Sequence, residues 1–148
     1  MSCEPTPCCA LGGIRLPFQL SVCVPGHRSS ISPVVLSVME LARETKCAAG
    51  KEFEIETALR EALANAVIHG CDSDASKVVE CSVSCSESGE VLIVVRDPGP
   101  GFDPASIPSP VAGENVYSTH GRGIYLITRS MDEVWFERGG SEIHMRKS

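Results

Sequence analysis

Apolar and polar residues recur along this chain at two distinct periods, and the periods divide it into elements. Between 14 and 24 alternate residues are apolar (Ile14, Leu16, Phe18, Leu20, Val22, Val24), which predicts a half-buried strand closed by Pro25-Gly26. Ser32-Pro33 then reads as an N-cap followed by proline at the first helical position. Val34, Val35, Val38, Leu41 and Ala42 continue at helical spacing to about residue 47, and Ala48-Ala-Gly50 ends that helix. A second helix is predicted over 52–69. Its stripe of Ile55, Ala58, Leu59, Ala62, Leu63, Ala66 and Val67 falls at i, i+3, i+4, i+7, i+8, i+11 and i+12, with Gly70 as its C-cap. Strands follow at 77–84 and 91–96, joined by a turn at Ser88-Gly89 and therefore antiparallel. A third helix is expected over 122–131, and 133–138 with 142–147 form a hairpin across Gly139-Gly140.

The order β-α-α-β-β-loop-α-β-β places helices in amphipathic units and most strands in hairpins. That predicts an α+β fold: one mixed, mostly antiparallel sheet with the helices packed on one face. Residues 1–12 are rich in Pro, Cys and Gly without periodicity and read as a flexible leader, leaving 13–148 as one domain. The segment from 98 to 119, dense in proline and glycine, is a longer loop than compact domains carry without a functional reason.

Composition narrows the function classes. A chain of 148 residues with 43% hydrophobic content suits a single globular core. A net charge of −6 argues against nucleic acid as a partner, because phosphate backbones demand a basic face. No apolar run approaches the ~20 residues that span a bilayer, and the N-terminus lacks the pattern of a secretory signal, so no membrane is expected and the expected location is cytoplasmic. The eight cysteines include no Cys-x-x-Cys pair of the kind zinc sites use, and they read as small buried hydrophobes plus a few solvent thiols in a reducing compartment.

Three short runs carry chemistry. In Glu61-Ala-Leu-Ala-Asn65-Ala-Val-Ile-His69-Gly70, Glu61 and Asn65 lie one turn apart at the edge of the apolar stripe, beside the small Ala58, Ala62 and Ala66. A carboxamide oxygen is a hard ligand for Mg²⁺, and a carboxylate one turn away can activate a hydroxyl. The plain alternative is a pair of boundary polar residues. In Asp97-Pro-Gly99-Pro-Gly101-Phe102, an acid ends an apolar strand. It can accept a hydrogen bond from an exocyclic amino group such as that of adenine, while Gly99 and Gly101 let a flat ring approach the backbone. An ordinary Asp-Pro-Gly turn fits the same letters. His120-Gly121-Arg122-Gly123 reads as a glycine-rich turn opening a helix, where backbone amides hold phosphate, with Thr119 and His120 at the end of the long loop as a nucleotide lid.

In order, these runs resemble the N, G1 and G2 boxes of the GHKL ATP-binding superfamily. The run Asn65-Ala-Val-Ile-His-Gly and the ending Gly-Arg-Gly123-Ile-Tyr-Leu-Ile with Met131-Asp132-Glu-Val resemble more closely the bacterial anti-sigma factor serine/threonine-protein kinases. The resemblance spans about residues 14–147 and implies a Bergerat-type two-layer α/β sandwich that binds ATP with Mg²⁺. By position, it implies Asn65 as the Mg²⁺ ligand, Glu61 as catalytic base and Asp97 on the adenine amino group. It places Gly99 and Gly101 around the base, Gly121, Arg122 and Gly123 at the phosphates, and 103–120 as lid. Ser141 matches the adenine-side hydroxyl loosely. The resemblance further implies a kinase, as a homodimer, that phosphorylates a serine of an anti-anti-sigma partner and sequesters a sigma factor. Two other readings stay open at this stage: a non-catalytic ATP-binding module that sequesters a partner, and a histidine-kinase catalytic domain.

Overall fold

The computed structural model describes residues 18–101 and 119–148, with side chains in the second stretch from 123 onward. The leader at 1–12, the first residues of the first expected strand and the lid segment at 103–118 lie outside the described residues.

Among the described residues five strands form one sheet: β1 (Phe18–Pro25), β2 (Val78–Cys85), β3 (Val91–Arg96), β4 (Glu133–Glu137) and β5 (Glu142–Lys147), in the order β1-β2-β3-β5-β4. Every pairing is antiparallel, so the sheet is antiparallel throughout rather than mixed. Three α-helices of the described residues pack on it: α1 (Ile31–Thr45), α2 (Glu52–Asn65) and α3 (Thr119–Ser130).

Alternation along the strands sorts the two faces. Val79, Cys81, Val83 and Cys85 of β2, Val91, Ile93 and Val95 of β3, and Ile143 and Met145 of β5 are buried. They meet the helical stripes Ile31, Val35, Val38, Met39 and Ala42 of α1 and Ile55, Ala58, Leu59, Ala62 and Leu63 of α2 in one core. The other face carries Leu92, Val94 and Trp135 together with the charged pairs. On it Arg96 pairs with Glu80 (3.0 Å) and Glu142 (3.8 Å), and Arg146 pairs with Glu90 (2.8 Å) and Glu133. His144 stacks on Trp135 at 5.0 Å between ring centres. One face is therefore apolar and helix-covered, as a one-sided antiparallel sheet requires.

Three local expectations shift. Helix α1 starts at Ile31, after a 3₁₀ turn (Arg28–Ser30) capped by the Nδ1 of His27, which accepts the Ser29 amide at 3.1 Å. Ser32 is therefore inside the helix, and Pro33 stays in the first turn, where a missing N–H costs no hydrogen bond. Helix α2 ends at Asn65 and continues as a π-helical turn, Ala66–Gly70, in which the Cys71 amide bonds to the Ala66 carbonyl at 2.9 Å. The cysteines also divide differently from expectation. Cys71 and Cys81 are buried free thiols, but Cys47 and Cys85 form a disulfide with a Cα–Cα distance of 6.2 Å, because the turn after α1 sits against the end of β2. Among the described residues no helix is long and apolar enough to cross a membrane.

Candidate functional site

The C-terminal end of α2, the end of β3, the start of α3 and the β4–β5 turn converge on one cleft. It holds about 470 Å³ of space, part of it open to solvent. Ala62, Ala66, Val95, Ile124, Phe136 and Ile143 give it apolar walls, and Asn65, His69, Asp97 and Ser141 add polar groups. Apolar walls with a few convergent polar groups are what a small-molecule site needs.

The π turn shapes one side. It carries the chain past the end of β3, so that Gly70 lies directly on the Asp97 carboxyl; a Cβ on Gly70 would come within 2.1 Å of Asp97 Cγ. Gly70 does not adopt the left-handed conformation of a C-cap glycine, so its expected capping role gives way to a close approach. Gly99 follows the same logic. Its amide donates to Asp97 Oδ1 at 2.8 Å, and a Cβ there would meet the Gly70 carbonyl at 2.7 Å. Gly101 combines a φ of +78° with a close approach to the Gly139 carbonyl, so two separate constraints require glycine.

Asp97 is thus held from both sides. Its own amide donates to the Ser141 carbonyl at 2.9 Å, which ties the end of β3 to the β4–β5 turn. Burial raises its carboxyl above the ordinary value, against the opposing pull of the Gly99 amide. Burial and the nearby Asp97 carboxylate likewise push the Cys71 thiol up. A half-buried carboxyl with one oxygen held by a backbone amide has its remaining acceptor capacity for a ligand donor.

Glu61 and Asn65, one turn apart on α2, both face α3. A Cβ on Gly123 would stand 3.0 Å from Asn65 Nδ2, 3.1 Å from Asn65 Oδ1 and 3.1 Å from Glu61 Oε2. Asn65 lines the cleft and Glu61 stands beside it at its α3 edge. Helix α3 begins at Thr119, so Gly121-Arg122-Gly123 lies within its first two turns rather than ahead of it. Helix geometry then leaves the amides of residues 119–121 without intrahelical partners, a ready anion site. The side chains of Thr119, His120 and Arg122 lie outside the described residues.

The structure therefore brings Asn65, Asp97 and Gly101 to one cleft, with Gly99 behind Asp97 and Gly123 against Glu61 and Asn65. Sequence reasoning missed the walls made by Phe136, Ile124 and Ile143, whose apolar character reads equally as core. It also missed Gly70 as a packing residue; the signal was a glycine immediately after a run already suspected of chemistry.

Residues 24–147 match the family of histidine kinase-like ATPase domains. The chain belongs to that family. Its relatives include an anti-sigma F factor of Priestia megaterium, 33% identical over 103 residues, covering 64% of this chain and 67% of the relative. An anti-sigma F factor of Clostridium perfringens (strain SM101 / Type A) is 36% identical over 103 residues, covering 64% and 70%. One of Geobacillus stearothermophilus is 33% identical over 104 residues, covering 64% and 68%. A histidine kinase-like ATPase domain implies ATP as ligand, and apolar walls with the polar groups of Asn65, Asp97 and Ser141 are of the kind such a ligand needs.

Proposed function

We propose that this chain is an ATP-dependent serine/threonine-protein kinase that acts as an anti-sigma factor, phosphorylating a serine of an anti-anti-sigma protein and sequestering a sigma factor. The observation that carries the reading is the placement of Glu61 and Asn65 together against Gly123 at the edge of the cleft that holds Asp97. The names of the relatives, anti-sigma F factors, support the choice of partners. A module that only bound ATP would need no carboxylate at Glu61, which favours the enzyme over a purely sequestering protein.

In this reading Asp97 accepts the adenine amino group, and Gly99 and Gly101 give the ring access to the backbone. Asn65 would hold Mg²⁺, which when bound would neutralise phosphate charge. The amides at the start of α3, around Gly121 and Arg122, meet the phosphates beneath the segment that ends at Thr119 and His120. Glu61 takes the proton of the acceptor serine as its oxygen bonds to the γ-phosphorus; the bond to the β-phosphate oxygen breaks and ADP departs. The same proposal takes the protein as a homodimer in the cytoplasm, with residues 13–148 as the ATP-binding domain.

Calorimetry of ATP binding with and without Mg²⁺, on wild type and Asn65→Ala, tests the site. Wild type should bind with Mg²⁺, and Asn65→Ala should weaken that binding by ~10-fold or more. Equal affinities for the two proteins would remove Asn65 from the metal site. No binding by wild type would end the kinase reading.

A further inference from the structure

Gly123 is the fifth residue of α3, so helix geometry commits its amide to the Thr119 carbonyl and takes it out of the set of free amides at the helix start. Glycine inside a helix is also unfavourable, by roughly 0.5–1 kcal/mol against alanine. Neither phosphate binding through its own amide nor helix stability accounts for it.

What surrounds it does. The three atoms nearest a Cβ at 123 are Asn65 Nδ2, Asn65 Oδ1 and Glu61 Oε2, at 3.0 to 3.1 Å, and all three are tips of side chains rather than backbone. A methyl group there would leave the two helices in place and turn those tips aside. The residues displaced are the two that the kinase reading needs in register.

We infer that Gly123 is a positioning residue: its bare Cα lets Glu61 Oε2 and Asn65 Oδ1 stand side by side at the α3 edge of the cleft, so that base and metal ligand address the same phosphate. The inference rests on the kinase reading for the chemistry, and on the contacts around Gly123 for the geometry.

The test is Gly123→Ala, compared with wild type in four measurements on the full chain. Nucleotide-free thermal unfolding should give an equal or higher melting temperature, since alanine favours the helix and meets only flexible tips. Binding of ADP without Mg²⁺ should fall by less than the Mg²⁺-dependent gain does. The gain in ATP affinity that Mg²⁺ provides should fall by ~10-fold or more. The side-chain amide resonances of Asn65, followed by NMR without nucleotide, should move. A Gly123→Ala protein that fails to fold, or one that keeps the wild-type Mg²⁺ gain, overturns the role given to Gly123. Wild type without any Mg²⁺-dependent ATP binding overturns instead the kinase reading on which that role depends.

Discussion

Gly70 lies flat against Asp97, so close that a Cβ on the glycine would fall 2.1 Å from Cγ of the acid. The contact joins the π turn after α2 to the end of β3 and sets where the half-buried carboxyl points. Neither residue could hold this arrangement alone: the turn delivers the glycine, and the Gly99 amide fixes the carboxyl from the other side at 2.8 Å.

Gly70→Ala should therefore cost stability and ligand binding together. Asp97 and the Gly70 backbone cannot both stay in place, and overpacking of this kind costs about 1–3 kcal/mol. Urea unfolding of the variant and its ATP affinity check this. A variant as stable as wild type would show that the turn relaxes without strain.

Asp97→Asn should separate stability from function. Burial raises the Asp97 carboxyl in the folded protein, so between the ordinary carboxylate value of 3.8 and that raised value the folded state binds more protons than the unfolded one. Stability contributed at this residue accordingly falls as pH rises through that window. The neutral amide escapes the penalty, and its oxygen can still accept the Gly99 amide. At pH 7 the variant should be at least as stable as wild type, an advantage that shrinks as pH drops towards 4. It should nevertheless lose preference for ATP over GTP. Paired melting curves at the two pH values and competition binding decide both points.

Glu61→Gln keeps the shape of a half-buried side chain and removes its basicity. ATP affinity should stay within about twofold, while phosphotransfer to the acceptor falls by ~10²–10⁴. Transfer at the wild-type rate would take the base assignment away from Glu61.

The Cys47–Cys85 disulfide spans a sequence separation of 38 and anchors the turn after α1 to the end of β2. Closing a loop of that size stabilises by about 2–4 kcal/mol, so reductant should lower the melting temperature of oxidised protein. Protein carrying Cys47→Ala with Cys85→Ala should lose less melting temperature on adding reductant than wild type does.

Much of this protein is written in local pattern. Strand β3 falls at 91–96 as its apolar run predicts, and the buried stripes of α1 and α2 are those that helical spacing marks, because a period of 2.0 or 3.6 is a property of neighbouring residues. The three chemical runs are legible for the same reason, each being short and contiguous. Other features depend on contacts between distant segments. The π turn at 66–70 brings Gly70 onto Asp97, and the disulfide joins two cysteines far apart in sequence. Phe136 and Ile143 look like core residues until the β4–β5 turn carries them to the cleft wall. The sequence by itself determined the elements, the face each one buries and the polar groups available for chemistry. Tertiary packing alone decided which of those groups share a cleft, because that depends on how closely the glycines at 70, 99, 101 and 123 let neighbouring backbones and side chains approach.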